Sequence, residues 1–234
     1  IAEAVLRGVS VPVIASSANR AGAAPPQTGV EAKRNLDGQV DLLIDAGHTR
    51  FAKASTIVRV TNRSYEVLRE GVLDARIIER MAILRILFVC TGNTCRSPMA
   101  AGLARKMLAG RIGCAVVDLP VRGVLVESAG TSGGVGRAST EAVAAMERRG
   151  VDLSDHSSSS LKVEMLQQSD YVFAMTRSHR ETALAMVPSA ADRIHLLIDE
   201  EDIQDPMGSS IQEYDVCAEK IAKGLEKRMR EITL

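Results

Sequence analysis

The spacing of apolar and polar positions changes about a third of the way along the chain. Residues 1–80 carry short apolar runs separated by turn-forming residues, a pattern typical of strands. These runs occupy residues 11–15, 42–44, 56–60 and 65–68. Residues 81–234 instead alternate continuous apolar runs with segments in which apolar residues recur at helical spacing. We therefore predict two domains, 1–80 and 81–234.

The second part opens with an apolar run at residues 83–89 that contains one charged residue, Arg85, as expected of a strand buried in a parallel sheet. Met99, Leu103 and Met107 follow four residues apart, which predicts a helix over residues 98–109. Further strands are predicted at residues 124–127, 171–175 and 194–198, and further helices at residues 137–149, 177–186 and 211–231. This alternation predicts an α/β fold with a doubly wound parallel sheet.

Composition excludes several classes of protein. The formal net charge is zero, so no overall attraction to nucleic acid or to an anionic membrane is expected. No apolar run approaches the roughly 20 residues needed to cross a bilayer. The four cysteines match neither a zinc site nor a secreted disulfide scaffold, which favours a reducing cytoplasm. The first residue is Ile1, so we expect the amino end to be incomplete, and Met81 fits an alternative start.

The candidate chemistry lies in the loop between the first strand of the second part and its helix. Residues 89–98 read Val-Cys-Thr-Gly-Asn-Thr-Cys-Arg-Ser-Pro. Ser97 is a good N-cap and Pro98 a good first helical residue. Gly92 and Asn93 tolerate the backbone angles that turn successive N–H groups toward one point. With the positive end of the helix, this loop predicts a cradle for a tetrahedral anion.

Cys90 lies at the base of this predicted cradle, where a helix terminus stabilises a nucleophilic thiolate. Arg96 can grip two phosphoryl oxygens with its planar fork, and Ser97 can donate its hydroxyl to the sulfur. A lone cysteine is more often a small buried hydrophobe, but the whole combination is far more specific. Asp205, in a predicted loop before the last helix, fits the proton donor that a leaving group needs. Since Asp-Pro is also a common turn sequence, its assignment depends on the cradle.

These features resemble the low-molecular-weight protein phosphatase family over essentially all of residues 81–234. The resemblance also includes residues 128–131, 152–160 and 174–176. It implies a four-stranded parallel sheet flanked by helices, a cysteinyl-phosphate intermediate, a phosphorylated protein as substrate, and no metal or other cofactor. It also implies no membrane or direct nucleic-acid partner. Catalysis is assigned to Cys90, Arg96 and Asp205, and substrate binding to Thr91, Gly92, Asn93, Thr94, Cys95 and Ser97.

Thr94 refines the expected substrate. Bacterial protein-arginine phosphatases of this family resemble the present loop, whereas phosphotyrosine enzymes typically carry a bulkier aliphatic residue at the position of Thr94. They also often carry aromatic residues after the Asp-Pro, where this chain has Met207 and Gly208. We therefore expect phosphoarginine in proteins as the substrate. A protein tyrosine phosphatase is the alternative, and an inactive phosphopeptide-binding module is a further one.

The remaining cysteines bear on redox chemistry. Arsenate reductases share the cradle, and the thioredoxin-coupled ones use two further cysteines in a mobile segment. Cys114 and Cys217 are predicted at a helix end and within the last helix, which argues against such a pair. Cys95 lies five residues from Cys90. We expect it either to pack within the loop or to form a protective disulfide with Cys90 under oxidation.

Residues 1–80 resemble the carboxy-terminal portion of threonylcarbamoyl-AMP synthases, which use threonine, bicarbonate and ATP. The matching pieces are residues 12–22, 43–47, 54–58 and 67–71. The resemblance assigns nucleotide binding to Ser17, Asn19, Ser55 and Arg69, although Ser17 and Asn19 also suit a plain turn. The portion that supplies that family's basic residues has no counterpart here, so we expect no synthase activity. The segment is interpreted as either a fragment of a fused bifunctional protein or a remnant.

Overall fold

The computed structural model describes residues 2–20, 22–61, 64–199 and 201–232. The chain divides into two compact units, Ile1–Met81 and Ala82–Leu234. Ala21, within the synthase-like piece at residues 12–22, lies outside the described residues, as do the last two residues of the chain.

In its described residues, the first unit contains three short helices and one antiparallel strand pair. The helices are α1 (Ala2–Arg7), α2 (Gly29–Leu36) and α3 (Ala75–Met81), and the strands are β1 (Ile57–Val60) and β2 (Tyr65–Arg69). The strands predicted at residues 11–15 and 42–44 are wrong, because neither segment pairs with a neighbour in the described structure. Ile14 is 99% exposed. An apolar segment that has neither a neighbouring strand nor a core to pack against is not stabilised as a β-strand.

The second unit is built on a four-stranded parallel sheet, as predicted. Its strands are β3 (Leu84–Cys90), β4 (Val124–Gly130), β5 (Tyr171–Ala174) and β6 (Ile194–Leu196), in the order β4-β3-β5-β6. The last five residues of β3 are buried, which explains its continuous apolar run. The chain leaves β3 toward β4 on one side and later returns to β5 on the other. The carboxyl end of β3 is therefore the switch point at which such sheets bind ligands.

Helices cover both faces of this sheet. They are α4 (Arg96–Ile112), α5 (Thr140–Glu147), α6 (Val163–Gln168), α7 (Arg177–Met186) and α8 (Ile211–Glu231). One apolar cluster joins β3 to α4, α5 and α8, and a second joins the opposite face of β3 to α6 and α7. In the described part of the chain, no helix combines the length and the apolar character that a membrane span requires.

The start of α4 differs from the prediction. Its N-cap is Cys95 rather than Ser97, so Ser97 and Pro98 both lie in the first helical turn. The N–H groups of that turn have no partner within the helix, so a proline is tolerated there. The Ser97 hydroxyl is consequently free of a capping role and points toward Cys90.

Candidate active site

The loop between β3 and α4 curls around the sulfur of Cys90. Asn93 has a positive φ of 57°, the left-handed conformation that asparagine adopts more readily than most residues. This conformation turns the Asn93 N–H toward Cys90 Sγ, at 3.3 Å. The loop therefore aims a backbone donor at the sulfur, which is how a cradle for an anion is built.

The thiol of Cys90 is buried at the base of the loop. Its Sγ lies 2.9 Å from Ser97 Oγ, and Ser97 Oγ also accepts a hydrogen bond of 2.9 Å from the Asn93 side-chain amide. Because the amide already occupies a lone pair of the Ser97 oxygen, the hydroxyl hydrogen is available to the sulfur. The arrangement suits a thiolate, which can only accept.

Asn93 is held by groups from two other segments. Its side-chain amide donates to Ser128 Oγ at 2.8 Å, and its Oδ1 accepts from the Ser159 N–H at 2.8 Å. Its backbone carbonyl lies 2.7 Å from His156 Nε2 and accepts from Ser158 Oγ at 3.0 Å. A left-handed residue persists where its surroundings over-determine it, and these four contacts do so.

Arg96 is 3% exposed, and two of its three nitrogens are bound within the protein. Nη1 donates to the Ile203 carbonyl at 3.0 Å, while Nη2 donates to Thr91 Oγ1 at 3.2 Å and to Asp205 Oδ2 at 2.5 Å. Nε is buried and has no hydrogen-bond partner among the described residues. A buried guanidinium N–H without a partner is costly, so it marks a place for an anionic acceptor.

Asp205 reaches the same opening from the loop between β6 and α8. Its side chain is 41% exposed, and its Oδ1 accepts from the Met207 N–H at 3.3 Å. The structure thus brings Asp205 and Arg96 into contact across 109 positions of sequence. A carboxyl group that is open to solvent and next to a buried guanidinium can exchange a proton with a bound ligand and with water.

Thr94 is half-buried, and its Oγ1 lies 3.5 Å from Cys95 Sγ. Gly92 does not carry the unusual backbone angle that the sequence suggested, since that role falls to Asn93. The structure places all six residues that were predicted to bind substrate in this loop or in the first turn of α4.

The Cys95 side chain contacts residues outside the cradle loop. Its Sγ lies 3.3 Å from the hydroxyl of the buried Tyr214 and 3.5 Å from Ser139 Oγ. Burial and the contact with Cys95 raise the pKa of Tyr214 to about 12, so the phenol is protonated. Cys90 and Cys95 are both free thiols. A disulfide between them stays a prediction, and it requires Cys95 to leave Tyr214.

The other two cysteines lie outside the cradle loop. Cys217 is buried in α8, and burial raises the pKa of its thiol to about 12. Cys114 is half-buried just beyond α4. Within the described residues, no group of three metal-ligating side chains is placed to hold a metal ion.

The structure also reveals residues that sequence reasoning missed. His179, at the start of α7, is buried, and its Nε2 lies 2.8 Å from Thr91 Oγ1. Burial, followed by the nearby charge of Arg96, lowers the pKa of His179 to about 4. The contacts of Ser139 and Tyr214 with Cys95 Sγ were likewise not predicted from the sequence. The only local signal was the position of Thr176 and His179 at a helix start, which by itself indicates capping.

In the first unit, the four predicted nucleotide-binding residues come together only in part. Arg69 Nη2 donates to the Ser55 carbonyl at 2.8 Å and lies 3.4 Å from Ser55 Oγ. Asn19 instead closes its own turn through the carbonyls of Arg20 and Ala23. Ser17 is exposed, and no hydrogen bond among the described residues joins it or Asn19 to the Arg69 pair.

A doubly wound sheet whose central strand ends in a cradled thiol beside a buried arginine and a carboxyl group defines a cysteine-dependent protein phosphatase. The chain belongs to the low molecular weight phosphotyrosine protein phosphatase family, whose sequence model matches residues 85–233. Residues 1–71 match the Sua5/YciO/YrdC family, described as telomere recombination. Both matches agree with the resemblances read from the sequence.

Individual relatives are similar over the phosphatase unit. The protein-arginine-phosphatase of Geobacillus stearothermophilus is 37% identical, over 58% of this chain and 88% of the relative. The protein-arginine-phosphatase of Bacillus subtilis (strain 168) is 33% identical, over 63% of this chain and 95% of the relative. The solved low molecular weight protein tyrosine phosphatase from T. tengcongensis is 35% identical, with a TM-score of 0.57, over 64% of this chain and 99% of that one.

Proposed function

We propose that the second unit removes phosphoryl groups from phosphoarginine in proteins through a covalent intermediate on Cys90. The observation that carries this proposal is the cradle itself, in which a buried thiol with two hydrogen-bonding neighbours lies at the base of the loop that leads to Arg96. The unpartnered Nε of Arg96 supplies a donor for a phosphoryl oxygen. No metal is required for this chemistry.

In the first step, Cys90 Sγ attacks phosphorus and the bond from phosphorus to the leaving nitrogen breaks. The electron pair of that bond stays on the nitrogen, which takes a proton from Asp205. Arg96 and the backbone N–H groups of the loop bind the phosphoryl oxygens, whose charge they stabilise. The unmodified arginine side chain departs.

In the second step, water attacks the phosphorus of the cysteinyl phosphate. Asp205, now ionised, accepts a proton from that water, and the phosphorus–sulfur bond breaks with its electrons returning to Cys90 Sγ. The Ser97 hydroxyl donates to the departing sulfur, which eases this cleavage. The products are inorganic phosphate and the starting enzyme.

The choice of phosphoarginine rests on Thr94 and on two relatives named protein-arginine-phosphatase. Thr94 is half-buried in the cradle loop, where its side chain can touch the group attached to phosphorus. A small polar side chain leaves room for a guanidinium group. Phosphotyrosine is the alternative substrate, because the family also contains tyrosine phosphatases, one of which is 35% identical to this chain.

The test is a side-by-side measurement of kcat/KM on a phosphoarginine peptide and a phosphotyrosine peptide of the same flanking sequence. We expect the phosphoarginine peptide to be preferred and Cys90→Ser to lose turnover of both while keeping its fold by circular dichroism. Preference for phosphotyrosine would leave a tyrosine phosphatase. Turnover by folded Cys90→Ser would remove the covalent mechanism.

Substitution of Thr94 separates size from hydrogen bonding. Thr94→Ile adds apolar bulk and should shift the ratio of the two kcat/KM values toward phosphotyrosine by roughly 10–200-fold, the range for methyl-sized pocket changes. Thr94→Val removes the hydroxyl at nearly constant volume and is the matched control. If Thr94 only braces the loop, both substrates will lose equally in both variants.

We also propose a reducing compartment, the cytoplasm, as the place of action, because the reaction requires a free thiol and the four cysteines are unpaired. The first unit is proposed to be catalytically inactive as a synthase.

A further inference from the structure

His179 belongs to α7, on the face of the sheet opposite α4, yet its imidazole reaches the cradle. The residue is 6% exposed. Its Nε2 lies 2.8 Å from Thr91 Oγ1, and its Nδ1 lies 2.8 Å from Thr176 Oγ1. Thr176 is the N-cap of α7 and also accepts the His179 backbone N–H at 3.3 Å. Both ring nitrogens are therefore engaged by threonine hydroxyls, which can either donate or accept.

Arg96 fixes the direction of these hydrogen bonds. A guanidinium group can only donate, so Thr91 Oγ1 accepts from Arg96 Nη2 at 3.2 Å. The Thr91 hydroxyl hydrogen is then available to a second partner. The imidazole is neutral near pH 7, because burial and the charge of Arg96 lower its pKa to about 4.

The charge of Arg96 also selects the tautomer. A lone pair on Nε2, directed toward the cation through Thr91, is favoured over an N–H bond in the same direction. Nε2 then accepts from Thr91, and Nδ1–H donates to Thr176. Each hydroxyl in such a chain donates onward after accepting, so the bonds reinforce one another.

We propose that His179 is a positioning residue, which holds Thr91, and through it the guanidinium of Arg96, by a one-way chain of hydrogen bonds from Arg96 to Thr91 to His179 to Thr176. The part of this inference that concerns phosphate binding by Arg96 rests on the proposed function. Without the chain, Nη2 keeps only its contact with the exposed carboxyl group of Asp205. The orientation of the guanidinium, and with it the position of Nε, is then less constrained.

The tautomer is measured directly on the wild-type chain by nitrogen-15 NMR of the histidine rings near pH 7. We expect His179 to carry its proton on Nδ1 and none on Nε2. Thr91→Val should move the Nε2 signal, because it removes the donor. A protonated Nε2, or a signal that does not respond to Thr91→Val, overturns the chain. This measurement needs no turnover, so it is independent of the proposed function.

Binding of inorganic phosphate, followed by calorimetry, tests the effect on Arg96. His179→Leu should weaken phosphate affinity roughly tenfold, the scale of one hydrogen bond to a charged site. His179→Gln places an amide oxygen near the position of Nε2 and should restore most of the affinity. The double variant with Thr91→Val should be no weaker than the weaker single variant, because both remove the same chain.

A matched control separates positioning from simple loss of packing. Ala183 is buried in the same helix and belongs to the apolar cluster on that face. Ala183→Gly should lower thermal stability while leaving phosphate affinity unchanged. Equal losses of affinity in Ala183→Gly and His179→Leu would make His179 a structural residue only. Unchanged phosphate affinity in His179→Leu would overturn the positioning role in the same way.

Discussion

The chemistry of the site depends, at the scale of single residues, on which groups carry hydrogens. Ser97 has a hydrogen to give to Cys90 because Asn93 already occupies a lone pair of its oxygen. Arg96 has an Nε–H to give to an anion because its other nitrogens are bound elsewhere. Asp205 places a partly exposed carboxyl group in contact with that arginine. Ser97, Arg96 and Asp205 thus differ in what each can donate or accept within the same site.

The first prediction concerns Asp205. Asp205→Asn should slow hydrolysis of poor leaving groups by about 10²–10⁴, the usual range for general acid catalysis. The loss should shrink along a series of aryl phosphates as the leaving group improves, because a better leaving group needs less protonation. Asp202→Asn, in the same loop, is the matched control and should leave the series unchanged. Equal losses over the whole series would make Asp205 structural.

The second prediction concerns His179 and acid stability. Its pKa is about 4 in the folded chain against 6.5 as the ordinary value, with Arg96, Asp205 and Asp202 as its charged neighbours. The unfolded chain therefore binds more protons between these values, so stability falls as pH falls through 6.5 and levels off below 4. Between pH 7 and pH 5, this group should cost the folded state about 2 kcal/mol.

Urea unfolding of wild type and of His179→Gln at pH 7 and pH 5 measures that difference. We expect the wild type to lose more stability than the variant, since glutamine does not titrate. If wild type and His179→Gln lose the same free energy of unfolding between pH 7 and pH 5, burial does not keep the His179 imidazole neutral.

Local sequence indicated Cys90, Arg96 and Asp205, since one loop and one Asp-Pro pair carry them. It gave no sign of the contact between Thr91 and His179, which are 88 positions apart, or of that between Cys95 and Tyr214, which are 119 apart. Such partners are set by the strand order and by helix packing. A buried histidine has no sequence signature until its neighbours are known.

At the scale of elements, the cradle requires a close approach between the end of β4 and the loop after β3. A Cβ on Gly130 would lie 2.5 Å from the Thr91 carbonyl oxygen and 3.0 Å from the Asn93 nitrogen. The Thr131 N–H donates to the Cys90 carbonyl at 2.8 Å across the same contact. The glycine therefore lets one parallel strand support the loop that follows its neighbour.

The third prediction follows from this contact. Gly130→Ala should displace the loop, lower stability by about 1–3 kcal/mol, and reduce kcat/KM by up to about 10²-fold. Gly134→Ala is the matched control, because a Cβ there meets nothing within 4 Å. Turnover and thermal unfolding of the two variants are compared with wild type. Wild-type turnover in Gly130→Ala would show that the loop tolerates the displacement.

Element prediction succeeded where burial enforced the pattern. The helices at residues 177–186 and 211–231 coincide with α7 and α8, and the buried β3 matches its apolar run. The Ser97 cap was wrong because that hydroxyl serves the sulfur of Cys90 instead. The run at residues 42–44 was wrong because apolar composition alone cannot supply a neighbouring strand.

At the scale of the whole molecule, the two units differ in how far they bury their side chains. The second unit has two apolar clusters around its sheet, whereas no described residue of the first unit is fully buried. Of the four residues assigned to a nucleotide pocket, only Ser55 and Arg69 are in contact. The catalytic function is thus attributed to the second unit.

The fourth prediction is that the chain binds ATP no more tightly than about 1 mM. The guanidinium of Arg69 is already engaged by Ser55, and a triphosphate needs several cations around it. Calorimetry with ATP on the whole chain measures this. Stoichiometric micromolar binding that Arg69→Ala abolishes would make the first unit a working nucleotide-binding domain.

The most direct measurement of the central claim is a search for the phosphoryl group on Cys90. Asp205→Asn slows the attack of water, so the covalent intermediate should accumulate when this variant meets a substrate with a good leaving group. Rapid denaturation at neutral pH, followed by fragmentation mass spectrometry, should locate one phosphoryl group on Cys90 and none on Cys95 or Ser97. Hydrolysis that proceeds with no phosphoryl group on Cys90, or with the group on another residue, would contradict the proposed mechanism.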